Sequence, residues 1–95
     1  MAYIPVMFEW DEAKSEANLR ERGFDFAHAA LIFEGPTLEM DDARKDYGEG
    51  RIQAIGRVDD DILFVVYTWR GAARRIISAR LANRRERDAY HEAFE

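Results

Sequence analysis

Ninety-five residues with 47% hydrophobic content fit one domain around one core, with little left over for a second. The formal net charge of −5 excludes a generic polyanion binder, and the absence of cysteine excludes a disulfide framework, a thiolate zinc site and a cysteine nucleophile. The opening "MAYIPVMFEW" has neither the basic start nor the apolar run of a signal peptide, and no stretch reaches the roughly 20 apolar residues of a membrane span, so the sequence predicts a cytoplasmic protein away from the membrane.

In chain order, "VMFEW" at 6–10 reads as a first strand, and Asp11 then caps a helix over 12–22 that Gly23 closes. Its expected buried stripe is Ala13, Ala17 and Leu19, with Lys14, Asn18 and Glu21 on another face. "DFAHAALIFEGP" repeats the device, with Asp25 as cap, a helix from Phe26 to Glu34, and Gly35-Pro36 as the stop. The period then falls from 3.6 to 2: "TLEMDD" predicts a short strand, "ARKDYGEG" a polar loop, and "RIQAIGRV" a strand alternating Arg51, Gln53, Ile55 and Arg57 against Ile52, Ala54, Gly56 and Val58. "ILFVVYTW" is a central strand covered on both faces, and "RRIISARLA" is a last strand. Asn83 and Glu86 form a capping box for a final helix with the stripe Ala89, Tyr90, Ala93 and Phe94. This order predicts an α+β fold, with two N-terminal helices and one C-terminal helix packed on one side of a mostly antiparallel sheet.

The charge is unevenly placed. Residues 1–61 hold 7 Lys+Arg against 15 Asp+Glu, or −8, and residues 62–95 hold 7 Arg against 4 acids, or +3. Strict alternation on the last strand sends Ile77, Ala79 and Leu81 to the helices and leaves Arg74, Ser78 and Arg80 on the open face, where Arg51 and Arg57 of a neighbouring strand join them. Guanidinium forks match phosphate oxygens and keep their charge at any working pH. Arg84, Arg85 and Arg87 stand in a first helical turn, where the dipole disfavours cations unless an anion offsets it. His91 lies on the outer flank of the last helix, Tyr90 is in its core stripe with a hydroxyl to spare, and His28 is a packing residue. No metal-ligand spacing or phosphate loop is present, so the chain calls for no cofactor and no metal.

Three stretches, "FEWDEAKSEANLRERGFDFAHAALIFEGP", "AIGRVDDDILFVVYTWRG" and "RRIISARLANRRERDAYHE", together resemble the BrnT toxins from Phe8 to Glu92. The family's F-E-W-D start matches Phe8–Asp11, its A-K-x-x-x-N-L helix matches Ala13–Leu19, and its I-S-A-R strand end matches Ile77–Arg80. The chain departs at Glu21-Arg22-Gly23, where the family commonly reads K-H-G, and at Leu81, where a second basic residue is common. The resemblance implies a RelE-like fold, metal-independent RNA cleavage, inhibition of translation, and hetero-oligomeric neutralisation by a BrnA-like antitoxin that also binds operator DNA. The shared chemistry is attack of a ribose 2′-hydroxyl on its own phosphodiester, which needs a base, an acid and a cation cluster. Arg57 and Arg80 are expected on the scissile phosphate, Arg74 and Arg84 with Arg51 and Ser78 on flanking RNA, and Lys14, Tyr90 and His91 assisting the reaction. The alternative is a weak or inactive binding module whose arginine face holds an antitoxin or a nucleic acid.

Overall fold

The structure, a computed structural model, describes residues 7–43 and 48–95. Val6 of the expected first strand and residues 44–47 of the expected polar loop lie outside the described residues. The elements are β1 (Met7–Trp10), α1 (Glu12–Arg22), α2 (Phe26–Ala29) continued by a 3-10 segment (Ala30–Glu34), β2 (Leu38–Asp41), β3 (Arg51–Val58), β4 (Asp61–Arg70), β5 (Ala73–Leu81) and α3 (Arg84–Phe94). The caps are where the sequence sets them. Asp11, Asp25 and Asn83 each accept from a backbone N–H of the first turn, Gly23 closes α1 at φ 87°, and Glu86 completes the α3 capping box.

The sheet runs in the order β1-β5-β4-β3-β2. Its last four strands form an antiparallel meander, and β1 adds to β5 in parallel, with Met7 opposite Ala73. Two cores result, one on each face. Phe26, Ala29 and Ile32 pack on Ala54, Leu63, Val65, Tyr67, Ile76 and Ala79 on one face, and Tyr90 packs with Ile55, Ile62, Phe64, Val66 and Ala82 on the other. The expectation of helices on one side is therefore corrected: α3 lies on the opposite face from α2, because its buried Tyr90 meets strand residues of the other parity.

Three local expectations also change. The second helix is α-helical only to Ala29, since its buried residues recur every third position (Phe26, Ala29, Ile32), the spacing that a 3-10 turn aligns and an α-helix does not. The same segment presses on β3 so closely that a Cβ at Gly56 would stand 2.6 Å from the Ile32 Cβ. Helix α1 does not bury Ala13 and Leu19; it buries Ser15 and Asn18. Ser15 Oγ accepts from the Phe26 N–H at 3.0 Å and Asn18 Nδ2 donates to the Phe24 carbonyl at 2.9 Å, so this helix is anchored by hydrogen bonds rather than by an apolar stripe.

The third change matters most for function. Between Val66 and Tyr67 the β4–β5 register slips: Val66 faces Ser78 but Tyr67 faces Ile76, which leaves Ile77 as the extra residue of a bulge. Alternation restarts on either side of it. Arg74, opposite Trp69, lies on the α2 face, whereas Ser78 and Arg80, opposite Val66 and Phe64, lie on the α3 face. The expected single face carrying Arg74, Ser78 and Arg80 is thus divided in two.

Candidate functional site

Helix α3 begins beside the end of β5 and crosses the sheet to β3, with an arginine tied to a carboxylate at each end. At its start, Arg80 donates from both terminal nitrogens to the two oxygens of Glu86, at 2.8 and 2.9 Å, with a further 3.2 Å bond to the Leu81 carbonyl. Glu86 Oε1 also accepts from the Asn83 N–H, so the capping box that starts the helix fixes the direction of the fork. The Arg80 guanidinium stacks 4.1 Å from the centre of the Phe64 ring. At the far end, Arg57 donates to Glu95 at 2.5 Å, and the other Glu95 oxygen stands 2.6 Å from His91 Nδ1.

These contacts set the local electrostatics. The hydrogen bond to Glu95 raises the Arg57 pKa above its ordinary value. The bond from Arg57, then the one from His91, holds the Glu95 carboxyl below the ordinary glutamate range. Arg57 and Glu95 therefore both stay charged at neutral pH.

Arg57 and Arg80 are not brought to one point. Their carboxylates sit about 14 Å apart along the helix axis at 1.5 Å per residue. Arg80 instead shares a cleft of about 160 Å³ with Asn18 and Arg22 of α1, Phe64, Ser78 and Ala79. Beyond β1 the outer edge of β5 is flanked by α1, which lets Arg22 face a strand it does not pair with. Phe64 also borders a second cleft of about 380 Å³ between α3 and the sheet, lined by Met40, Gln53, Ile55, Arg85, Glu86 and Ala89. A third, of about 490 Å³, contains Leu19, Arg22, Asp25, His28, Asp61 and Leu81; its two carboxylates repel a phosphate.

The remaining expected site residues are dispersed. Arg51 lies on the α3 face opposite Thr68 and donates to Glu49. Tyr90 is buried, and its hydroxyl donates to the Pro36 carbonyl at 3.2 Å, so it packs the helix to the sheet. Arg84 is exposed at the start of α3, and Lys14 is exposed on α1. Arg74, on the other face, is caged by Phe33, Tyr67 and Trp69 at 4.2, 5.4 and 4.7 Å. Sequence reasoning gave no site role to Arg22, Glu95 or Phe64. The i,i+4 spacing of His91 and Glu95 was the available signal for one of them; the Arg22 position depends on how α1 docks.

The α+β fold with its five-stranded sheet is similar to that of a known family of proteins. Residues 10–86 match the family described as the ribonuclease toxin, BrnT, of type II toxin-antitoxin systems. The chain belongs to this BrnT family of ribonuclease toxins. Among solved structures it is similar to the ribonuclease toxin BrnT of Brucella abortus, with 29% sequence identity and a TM-score of 0.59 over 82% of this chain and 99% of that one. No curated protein matches it. Among the described residues no helix is long and apolar enough to cross a membrane.

Proposed function

We propose that this BrnT toxin is a RelE-like, metal-independent endoribonuclease that silences translation, with the Arg22–Arg80 cleft as its scissile-phosphate site. One observation carries the reading: a guanidinium held by both oxygens of a capped glutamate shares a phosphate-sized cleft with a second arginine and two neutral polar side chains. In the reaction the ribose 2′-oxygen bonds to phosphorus as its proton passes to a base, and the bond to the 5′ oxygen breaks as that oxygen takes a proton. Charge accumulates on the non-bridging oxygens meanwhile. The two Arg80 N–H donors that Glu86 and the Leu81 carbonyl leave over meet that charge from a guanidinium already fixed in direction, and Arg22 adds a second cation from another element. Ser78 and Asn18 supply neutral donors. Arg57, with Glu95 and His91, serves RNA at the other end of α3, and Arg51 and Arg84 serve flanking phosphates.

The protein antitoxin expected of a type II system is of the BrnA kind, forms a hetero-oligomer covering the Arg80 cleft, and carries the contacts to operator DNA. The test is cleavage of RNA by purified protein with and without EDTA. Cleavage that survives chelation and yields 2′,3′-cyclic phosphate ends supports the mechanism; loss restored by magnesium overturns metal independence.

A second reading has its own observation. Arg80 commits three N–H donors to Glu86 and the Leu81 carbonyl, as a strut for α3 would. On that reading the cleft binds RNA or antitoxin without turnover, and the same assay decides, through binding without product.

A further inference from the structure

The second cleft has a chemistry distinct from that of the first. Its floor is the sheet, where Met40, Ile55 and Phe64 present apolar surface and Gln53 the polar side chain; its wall is α3, with Arg85, Glu86 and Ala89. Met40 is 48% exposed, so the floor is open to a flat ligand. Phe64 and the Arg80–Glu86 pair connect this cleft to the arginine cleft, so a chain held by its phosphate in one has its neighbouring base at the other. A volume of about 380 Å³ accommodates a planar base with its sugar.

Gln53 gives the cleft a directional polar group. Its Nε2 donates to Asp42 Oδ1 at 3.2 Å. A carboxylate only accepts, so the amide cannot flip without setting two oxygens against each other, and Oε1 is left as the acceptor. Adenine, cytosine and guanine each offer an exocyclic amino group to such an oxygen. Uracil offers only an N–H set between two carbonyls, and with one Nε2 hydrogen already given to Asp42 at most one of those oxygens finds a donor, while the other stands against Oε1.

We propose that the cleft between α3 and strands β2–β4 is a nucleobase subsite, in which Gln53 selects a base bearing an exocyclic amino group. The proposal rests on the reading of the Arg80 cleft as the phosphate site, but its selectivity is measurable without cleavage.

The experiment titrates AMP, CMP, GMP and UMP into the intact protein and its variants and follows the backbone amides of β3 and α3 by NMR. UMP is expected to bind several-fold more weakly than the other three, about fivefold for one neutral hydrogen bond. Gln53→Leu is expected to bring all four to the UMP level. Met40→Ala, at an exposed position, weakens all four alike. Equal affinities in the wild type, or a preference that survives Gln53→Leu, overturns the subsite. Random-sequence RNA cleaved by the same variants separates the two readings. Selective nucleotide binding without cleavage upholds the subsite and removes the nuclease reading, whereas cleavage with a base preference indifferent to Gln53 does the reverse.

Discussion

Arg74 and Arg80 stand on one strand, six positions apart, and both stack on aromatic rings, yet they end in opposite circumstances. Arg74 is enclosed on the α2 face by three rings, and its Nε is buried without a hydrogen-bond partner among the described residues. Beside it Tyr67 donates to Glu39, and its pKa is raised, first by burial and then by that bond. Arg80 touches one ring, is aimed by a carboxylate, and opens into a cleft. An arginine count does not separate these roles. What separates them is whether a fixed fork faces a space that an anion can enter.

The largest expected effect tests the Arg80 side. Arg80→Ala should lower RNA cleavage by about 10²–10³, the usual cost of one preorganised donor. Arg80→Lys should remain poor because a point charge does not replace the fork. Rates are compared at matched folded fraction; full activity of the lysine variant would reduce Arg80 to a diffuse charge.

Next is the packing beneath the other face. Gly56→Ala forces a methyl against Ile32 and should destabilise the fold by about 1–3 kcal/mol in urea unfolding. A change within error would mean that the 3-10 segment yields easily.

Arg74→Ala should cost about 1–2 kcal/mol of stability through lost cation–π contacts, with cleavage per folded molecule unchanged. Cleavage falling in parallel with Arg80→Ala would restore both arginines to one function and break the comparison.

The smallest effect concerns Glu95. Its carboxyl is held below the ordinary glutamate range, so its contribution is complete above that range and is lost as pH falls through the lowered value. Arg57, whose pKa is raised, keeps its charge throughout. The difference in thermal midpoint between wild type and Glu95→Gln should be small, since both groups are exposed, and should close in acid. A difference that persists at low pH would point to packing rather than charge.

Much of the fold was legible because its punctuation is local. Asp11, Asp25 and the Asn83–Glu86 box start the helices, Gly23 ends one, the period-2 runs give β3 and β5, and a continuous apolar run gives β4. The family followed from motifs that span several elements. The bulge was hidden because Ile76 and Ile77 are equally apolar, so a slip between them leaves the hydrophobic pattern intact while exchanging the faces of every residue before it. The α1 anchor was hidden for a related reason: Ser15 and Asn18 look like a solvent face until their partners at Phe24 and Phe26 are known. Arg22 entered the site the same way, through docking rather than spacing.

The parallel pairing of β1 with β5 has a consequence for the order in which the molecule is made. The meander of β2 to β5 pairs strands that follow one another in the chain, but β1 must wait for β5, the last strand of the sheet to be made, and so must α1, which follows β1 directly. Asn18 and Arg22 therefore take their places beside Ser78 and Arg80 only after β5 has been synthesised and has left the ribosome. The proposed phosphate site thus arises late in synthesis, assembled from segments that lie far apart in the chain.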